Sequence, residues 1–169
     1  MQVTFGGKKL NLYGEVVKVS DKAPDFKAVN NDLSSFDSKE NQGKVVVYSV
    51  VPSIDTGVCS LQARTFNEEA EKLGDDVIVI TVSCDLPFAQ KRFCAQEGIK
   101  NSISISDYKD HDFGKKYGFL IEDLALLSRG VVIVDKNGKI AYTEYVKEVS
   151  NEVNFEAALD AVKALIKWK

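Results

Sequence analysis

Val45-Val46-Val47-Tyr48-Ser49-Val50-Val51-Pro52-Ser53-Ile54-Asp55-Thr56-Gly57-Val58-Cys59 is the stretch that decides how this chain folds. Its first seven residues are apolar and mostly β-branched, the composition of a buried strand. Pro52 ends that strand, because proline has no N–H for the ladder. Beyond it, Cys59, Ala63, Phe66, Ala70 and Leu73 recur at steps of four and three, which is one face of a helix. Arg64, Asn67, Glu68, Glu71 and Lys72 fall largely elsewhere. A cysteine therefore stands where a buried strand hands over to a helix N-terminus. Unpaired backbone N–H groups gather partial positive charge at such a point. That charge favours the thiolate, which is the nucleophilic form of cysteine. Cys59 also starts the apolar stripe, so its sulfur is expected to be shielded. Read alone, the same residues describe something plainer: Thr56 as an N-cap for the Cys59 N–H, Pro52 as a strand end, and Cys59 as a small core residue. The rest of the chain separates the two readings.

Working outward, Phe5-Gly6-Gly7-Lys8 lies between Val3-Thr4 and Leu10-Asn11-Leu12-Tyr13 and predicts a small N-terminal hairpin. Residues 25–29 alternate as a strand. The Cys59 helix is expected to end at Leu73, with Gly74 as its C-cap. Val77 to Val82 is a second apolar strand. Asp85 reads as the N-cap of a helix from Leu86 to Glu97 that carries Cys94 and has Pro87 in its first turn. Ile103 to Ile105 predicts a short strand, and Asp112 to Tyr117 a turn or two of helix. Val131–Asp135 and Ile140–Tyr145 flank Asn137-Gly138, the preferred type I′ hairpin turn. A last helix follows, capped by Asn154, with Phe155, Ala158, Leu159, Val162, Leu165 and Ile166 as its apolar stripe. Strand–helix–strand implies a parallel pair with a right-handed crossover, and the terminal hairpin adds antiparallel strands. The expected fold is α/β: a thioredoxin-like plan, a mixed central sheet flanked by helices, with an extra N-terminal β-hairpin.

The 169 residues suffice for one domain with a substantial core, and residues 1–169 are read as that domain; no linker, repeat or low-complexity run interrupts them. Acidic residues number 25 against 22 basic, a formal charge of −3. That balance argues against a nucleic-acid or anionic-membrane surface. No apolar stretch has the length of a membrane span, and the N-terminus lacks the apolar segment of a signal peptide. A cytoplasmic protein is expected, where thiols stay reduced. Its three cysteines, Cys59, Cys84 and Cys94, form no C-x-x-C pair and share the chain with a single histidine, His111. They suggest neither a disulfide framework nor a zinc site. His111, in a polar stretch, reads as a surface residue, and Cys84 as structural.

Pro52-x-x-x-Thr56-x-x-Cys59 matches the peroxidatic motif of the peroxiredoxins. Phe66-Asn67, Asp85-Leu86-Pro87-Phe88-Ala89-Gln90 and Arg92-Phe93-Cys94 tighten the match. Together these segments resemble the bacterial thiol peroxidases, the Tpx-type atypical two-cysteine peroxiredoxins, from the N-terminal hairpin to the last helix. The resemblance implies that Cys59 is the peroxidatic cysteine and Cys94 the resolving cysteine of the same subunit. It implies that the Thr56 hydroxyl contacts peroxide and sulfur, that Pro52 shields the pocket, and that Arg129 completes the site. It further implies peroxide substrates, thioredoxin as reductant, a homodimer, and no metal or organic cofactor. Cys59 would become a sulfenic acid and condense with Cys94 to a disulfide, which thioredoxin reduces. A disulfide requires Cα atoms within about 7 Å, and two helices on one sheet are often farther apart, so both cysteine segments are expected to unwind locally. Two other readings stay open on the residues alone: a general thiol–disulfide oxidoreductase, against which the missing C-x-x-C speaks, and a noncatalytic or redox-sensing module on the same scaffold.

Overall fold

The computed structural model describes residues 1–166. The elements in chain order are Gln2–Phe5 (β1), Lys8–Asn11 (β2), Lys27–Asn30 (β3), Ser35–Asp37 (β4), Val45–Val50 (β5), Gly57–Leu73 (α1), Val77–Ser83 (β6) and Pro87–Glu97 (α2). Ile103–Ser106 (β7), Asp112–Tyr117 (α3), Leu120–Ile121 (β8), Leu126–Leu127 (β9), Gly130–Val134 (β10), Ile140–Tyr145 (β11) and Phe155–Ile166 (α4) follow. A seven-stranded sheet runs in the order β11-β10-β5-β6-β7-β3-β4. β5, β6 and β7 are parallel, and the other pairings in it are antiparallel. The mixed sheet expected from the strand–helix alternation and the terminal hairpin is therefore present.

Every residue of β5 is buried, because helices and loops cover both faces of a strand whose side chains alternate. Val46, Tyr48 and Val50 face one core with Ile80, Val82, Val132, Phe26, Phe113 and Tyr117. Val45 and Val47 face the other with Val79, Val131 and Ile133, where Phe66 and Ala70 of α1 and Ala158 and Val162 of α4 pack. The predicted stripes of both long helices meet the sheet as their spacing requires. A third, smaller cluster lies beyond the end of β5, between α1 and α2: Val51, Ile54, Cys59, Ala63, Phe93 and Ile99, with Cys94 packed against it.

The N-terminal hairpin, β1 with β2, docks away from the main sheet. Thr4 donates to the Lys147 carbonyl at 2.7 Å and accepts from the Val149 N–H at 2.8 Å. Val3, Leu10 and Leu12 cover Val149 and Ile121.

Three local expectations are corrected. The first strand of the main sheet is Lys27–Asn30, shifted from 25–29, because its partners are Ser35–Asp37 and Ser106-Ile105. The Asn137-Gly138 turn is not type I′, which needs positive φ at both central residues. Only Gly138 has one, at 78°. The Asp135 carboxylate accepts from the N–H groups of Asn137 and Lys139, at 2.9 and 3.0 Å, and so imposes an Asx-type turn. The N-cap of α2 is Leu86, without a side-chain cap bond; the Asp85 carboxylate is committed elsewhere.

Candidate active site

Helix α1 starts as the sequence predicts. Thr56 is its N-cap, with extended backbone, and its hydroxyl accepts from the Cys59 N–H at 3.3 Å. The cap fixes the first turn and so fixes where the Cys59 side chain departs. Cys59 has no exposed surface, whereas Thr56 and Gly57 beside it are exposed. Pro52 is buried in the same β5–α1 loop.

Arg129 arrives from the neighbouring strand. It immediately precedes β10, and its carbonyl accepts from the Val146 N–H at 3.0 Å. Gly130 follows because nothing larger fits: an added Cβ would stand 2.0 Å from the Glu144 carbonyl oxygen and 2.7 Å from the Phe119 ring. The Arg129 side chain is 2 % exposed. Its Nε donates to the Val149 carbonyl at 2.7 Å, Nη1 to Gln62 Oε1 at 3.0 Å, and Nη2 to Cys59 Sγ at 2.9 Å. A buried guanidinium without a counter-charge is costly. Of these three partners, only the sulfur can become an anion. The geometry therefore places a fixed positive charge against the Cys59 sulfur at the start of α1.

Two residues of this arrangement were not anticipated. Gln62 lies on the Cys59 face of α1 and is 1 % exposed. Its Nε2 donates to Ser49 Oγ, the Val50 carbonyl and the Gly130 carbonyl at 2.9, 3.3 and 3.5 Å, which turns Oε1 towards Arg129. A glutamine inside the stripe Cys59, Ala63, Phe66 was the available signal. Val149 supplies the other anchor and is itself held by the N-terminal hairpin. Next to it, Glu148 accepts from the Thr4 hydroxyl, the Gly7 N–H and the Ser150 N–H and hydroxyl. Those donors, Ser150 foremost, hold its carboxyl down at about 2. The hairpin thus buttresses the loop that orients Arg129.

Cys94 is on α2, half-buried, with its sulfur 3.4 Å from Ser104 Oγ. All three cysteines are free thiols. Cys59 and Cys94 share one apolar cluster, yet each sulfur has a different partner. Cys84 is also half-buried and packs against the sheet core. Burial pushes its thiol up to about 12, and the Asp107 and Asp85 charges push the same way. His111 is half-buried rather than a surface residue: it is the N-cap of α3, in a left-handed conformation and without a side-chain cap bond, and the Cys59 sulfur is bonded to Arg129 instead. Of the residues expected in the site, Thr56 and Arg129 each contact Cys59, Pro52 lies in the same β5–α1 loop, and Cys94 stands on α2 with a different partner.

Known proteins carry the same chain plan. The family model described as Redoxin matches residues 18–159. Thiol peroxidase of Bacillus subtilis is 49% identical over 166 residues, covering 98% of this chain and 99% of that one. Thiol peroxidase of Oceanobacillus iheyensis is 54% identical over 157 residues, covering 93% and 95%. The crystal structure of a peroxiredoxin-like protein from Aquifex aeolicus superposes with a TM-score of 0.91 at 40% identity, over 97% of this chain and 96% of its own. With a buried thiol under a buried guanidinium at a helix start, and with relatives of this identity along nearly its whole length, the chain belongs to the redoxin family, among the thiol peroxidases, and is a peroxiredoxin enzyme.

Proposed function

We propose that this thiol-dependent peroxidase reduces hydrogen peroxide and alkyl hydroperoxides through a Cys59 sulfenic acid and a Cys59–Cys94 disulfide within one chain, recycled by thioredoxin. The observation that carries the reading is the 2.9 Å bond from Arg129 Nη2 to Cys59 Sγ at a helix N-terminus capped by Thr56. The Cys59 thiolate attacks the terminal peroxide oxygen. The O–O bond breaks, the departing oxygen takes a proton and leaves as water or an alcohol, and sulfur keeps the transferred OH as sulfenic acid. Arg129, the Thr56 hydroxyl and the first N–H groups of α1 stabilise charge as it passes from sulfur to oxygen. Pro52 shields the pocket. The Cys94 thiol then attacks the sulfenic sulfur, a disulfide forms, and water leaves. Thioredoxin returns both thiols by exchange.

The site needs no metal or organic cofactor for this sequence of steps. The whole chain acts as one domain in antioxidant defence in the cytoplasm. No helix of the described residues is long and apolar enough to cross a membrane. Leu86 and Phe88, 54% and 67% exposed at the start of α2, leave apolar surface of the kind a second copy covers, which supports a homodimer.

The deciding experiment couples peroxide consumption to NADPH oxidation through catalytic thioredoxin and thioredoxin reductase. Saturable consumption that requires both Cys59 and Cys94 is expected. Reduction of model disulfides without peroxide consumption would make the chain a general oxidoreductase instead.

A further inference from the structure

We propose that Asp85 is a positioning residue that latches the Cys59-bearing loop to the Cys94-bearing helix and holds both in the arrangement that receives peroxide. The proposal rests on the peroxidase reading above.

Asp85 stands directly before α2, where its type and place predict a helix cap, yet α2 has no side-chain cap bond. The carboxylate reaches across to the β5–α1 loop. Oδ1 accepts from the Ser53 hydroxyl at 2.8 Å, and Oδ2 accepts from the Ile54 N–H at 2.9 Å and the Ser83 hydroxyl at 2.6 Å. Ser53 passes the order on, since its oxygen accepts from the Asp55 N–H at 3.1 Å, one residue before the Thr56 cap. Ile54 is 2 % exposed and packs in the cluster that holds Cys59 and Phe93.

The other side of the latch is equally fixed. Ser83 Oγ accepts from Gln90 Nε2 at 3.0 Å, and the same amide nitrogen donates to the Ile105 carbonyl at 2.8 Å. Gln90 is on α2 and fully buried. The Asp85 carbonyl accepts from the Ser106 hydroxyl at 2.5 Å. One residue therefore joins the loop before Cys59 to β6, to β7 and, through Ser83 and Gln90, to the helix of Cys94. Its carboxylate bonds are charge-assisted and stronger than neutral ones.

This placement has a kinetic consequence. Cys59 and Cys94 each have another partner in the reduced chain, so disulfide formation breaks both contacts, and in the latch proposal the two segments move as it does so. A tie common to both segments favours the closed arrangement that attacks peroxide over the open one that forms the disulfide. Weakening the tie slows attack and spares, or speeds, resolution. A sulfenic acid that is resolved sooner is less exposed to a second peroxide and so yields less sulfinic acid.

The test compares wild type with Asp85→Asn and Ser53→Ala. It follows single-turnover oxidation of Cys59, formation of the Cys59–Cys94 disulfide, and sulfinic acid per turnover by intact mass. Amide exchange at Ile54 is measured in the reduced and the disulfide forms of wild type. Attack is expected to slow about tenfold in Asp85→Asn and about threefold in Ser53→Ala. Sulfinic acid per turnover is expected to fall severalfold in both, and the Ile54 amide to lose protection on oxidation. General destabilisation would lower melting temperature without changing the partition between disulfide and sulfinic acid. An unchanged partition in Ser53→Ala, or equal Ile54 protection in both redox forms, overturns the latch even if Asp85→Asn fails to fold. A wild type that forms no Cys59 sulfenic acid removes the peroxidase reading and the latch together; a wild type that turns over beside variants with unchanged partition removes the latch alone.

Discussion

Cys59 and Cys84 lie beyond the carboxyl ends of adjacent parallel strands, and their surroundings are opposite. Cys59 is wholly buried, with a guanidinium on its sulfur. Cys84 is more accessible, yet its electrostatic neighbours are Asp107 and Asp85, and burial with those charges lifts its thiol to about 12. The two thiols differ in the sign of the nearest charge: a guanidinium donates to Cys59, whereas burial and, after it, two carboxylates act on Cys84. Asp107 shows how strongly that corner resists charge: burial pushes its own carboxyl up to about 6, even though it accepts from the Phe113 and Gly114 N–H groups at 3.0 and 2.8 Å.

The largest test of this contrast is paired removal. Cys59→Ser is expected to lower peroxide reduction more than about a thousandfold while the fold persists, because the thiol that accepts from Arg129 is the proposed nucleophile. Cys84→Ser is expected to stay within about twofold of wild type. Peroxide-dependent NADPH oxidation measures both. A severe loss in Cys84→Ser at normal stability would break the comparison at its weaker side.

Removing the charge rather than the sulfur comes next. Arg129→Leu is expected to slow Cys59 oxidation about 100- to 1000-fold, the range for loss of a preorganised donor to developing charge. It also leaves the buried Gln62 Oε1 and Val149 carbonyl without their donor, so stability should fall by about 1–3 kcal/mol for each. Arg129→Lys keeps the charge without the planar fork and should lie between wild type and Arg129→Leu. Stopped-flow oxidation and denaturant unfolding separate the two effects; an Arg129→Leu protein that reacts as fast as wild type would mean that charge does not distinguish the two cysteines.

How far this contrast was readable in the sequence follows from how local each cause is. The run of residues 45–51 and the stripe from Cys59 to Leu73 are short-range patterns, and the strand, the helix and its Thr56 cap all formed as read. Gln62 carried no reading and Asp85 was read as a helix cap, because the partners of both are remote. Gln62 meets Arg129 across 67 positions, and Asp85 meets Ser53 across 32. An aspartate before a helix satisfies the local rule for a cap, yet the loop delivered by β5 offered it better donors. The Asn137-Gly138 turn failed for a local reason instead, since a side chain two residues earlier overrode the dipeptide preference.

A smaller effect separates the first chemical step from recycling. Cys94→Ser leaves Cys59, Thr56 and Arg129 in place, so one turnover should proceed at a rate near wild type. The sulfenic acid then has no internal thiol to meet. Thioredoxin-dependent steady-state turnover is expected to fall about tenfold or more, and excess peroxide should carry Cys59 to sulfinic acid. Stepwise peroxide addition followed by fragment mass spectrometry checks this. Equal recycling and equal resistance to overoxidation would make Cys94 only a residue of α2. Appearance of a Cys59–Cys84 disulfide in wild type would instead promote the thiol whose surroundings least favour it.

The smallest effect concerns Cys84 alone and bears on stability, not turnover. An ordinary thiol titrates near 9.0, whereas folded Cys84 keeps its proton to about 12. Between those values the folded chain holds a proton that the unfolded chain has released. Unfolding then releases a proton, so stability falls as pH rises from about 9 towards 12, and the contribution is fully present below that window. Buried tyrosines titrate on the same alkaline side: Tyr48, Tyr117 and Tyr145 are also pushed up by burial, so wild type alone cannot isolate the thiol. The difference between wild type and Cys84→Ala can, because the tyrosines are common to both. The wild-type unfolding midpoint is expected to drop by about 5–9 °C more than that of Cys84→Ala between pH 9 and pH 11. Parallel curves over that range would show that folding does not hold the Cys84 proton, and the charge-based distinction between the two cysteines would then rest on Arg129 alone.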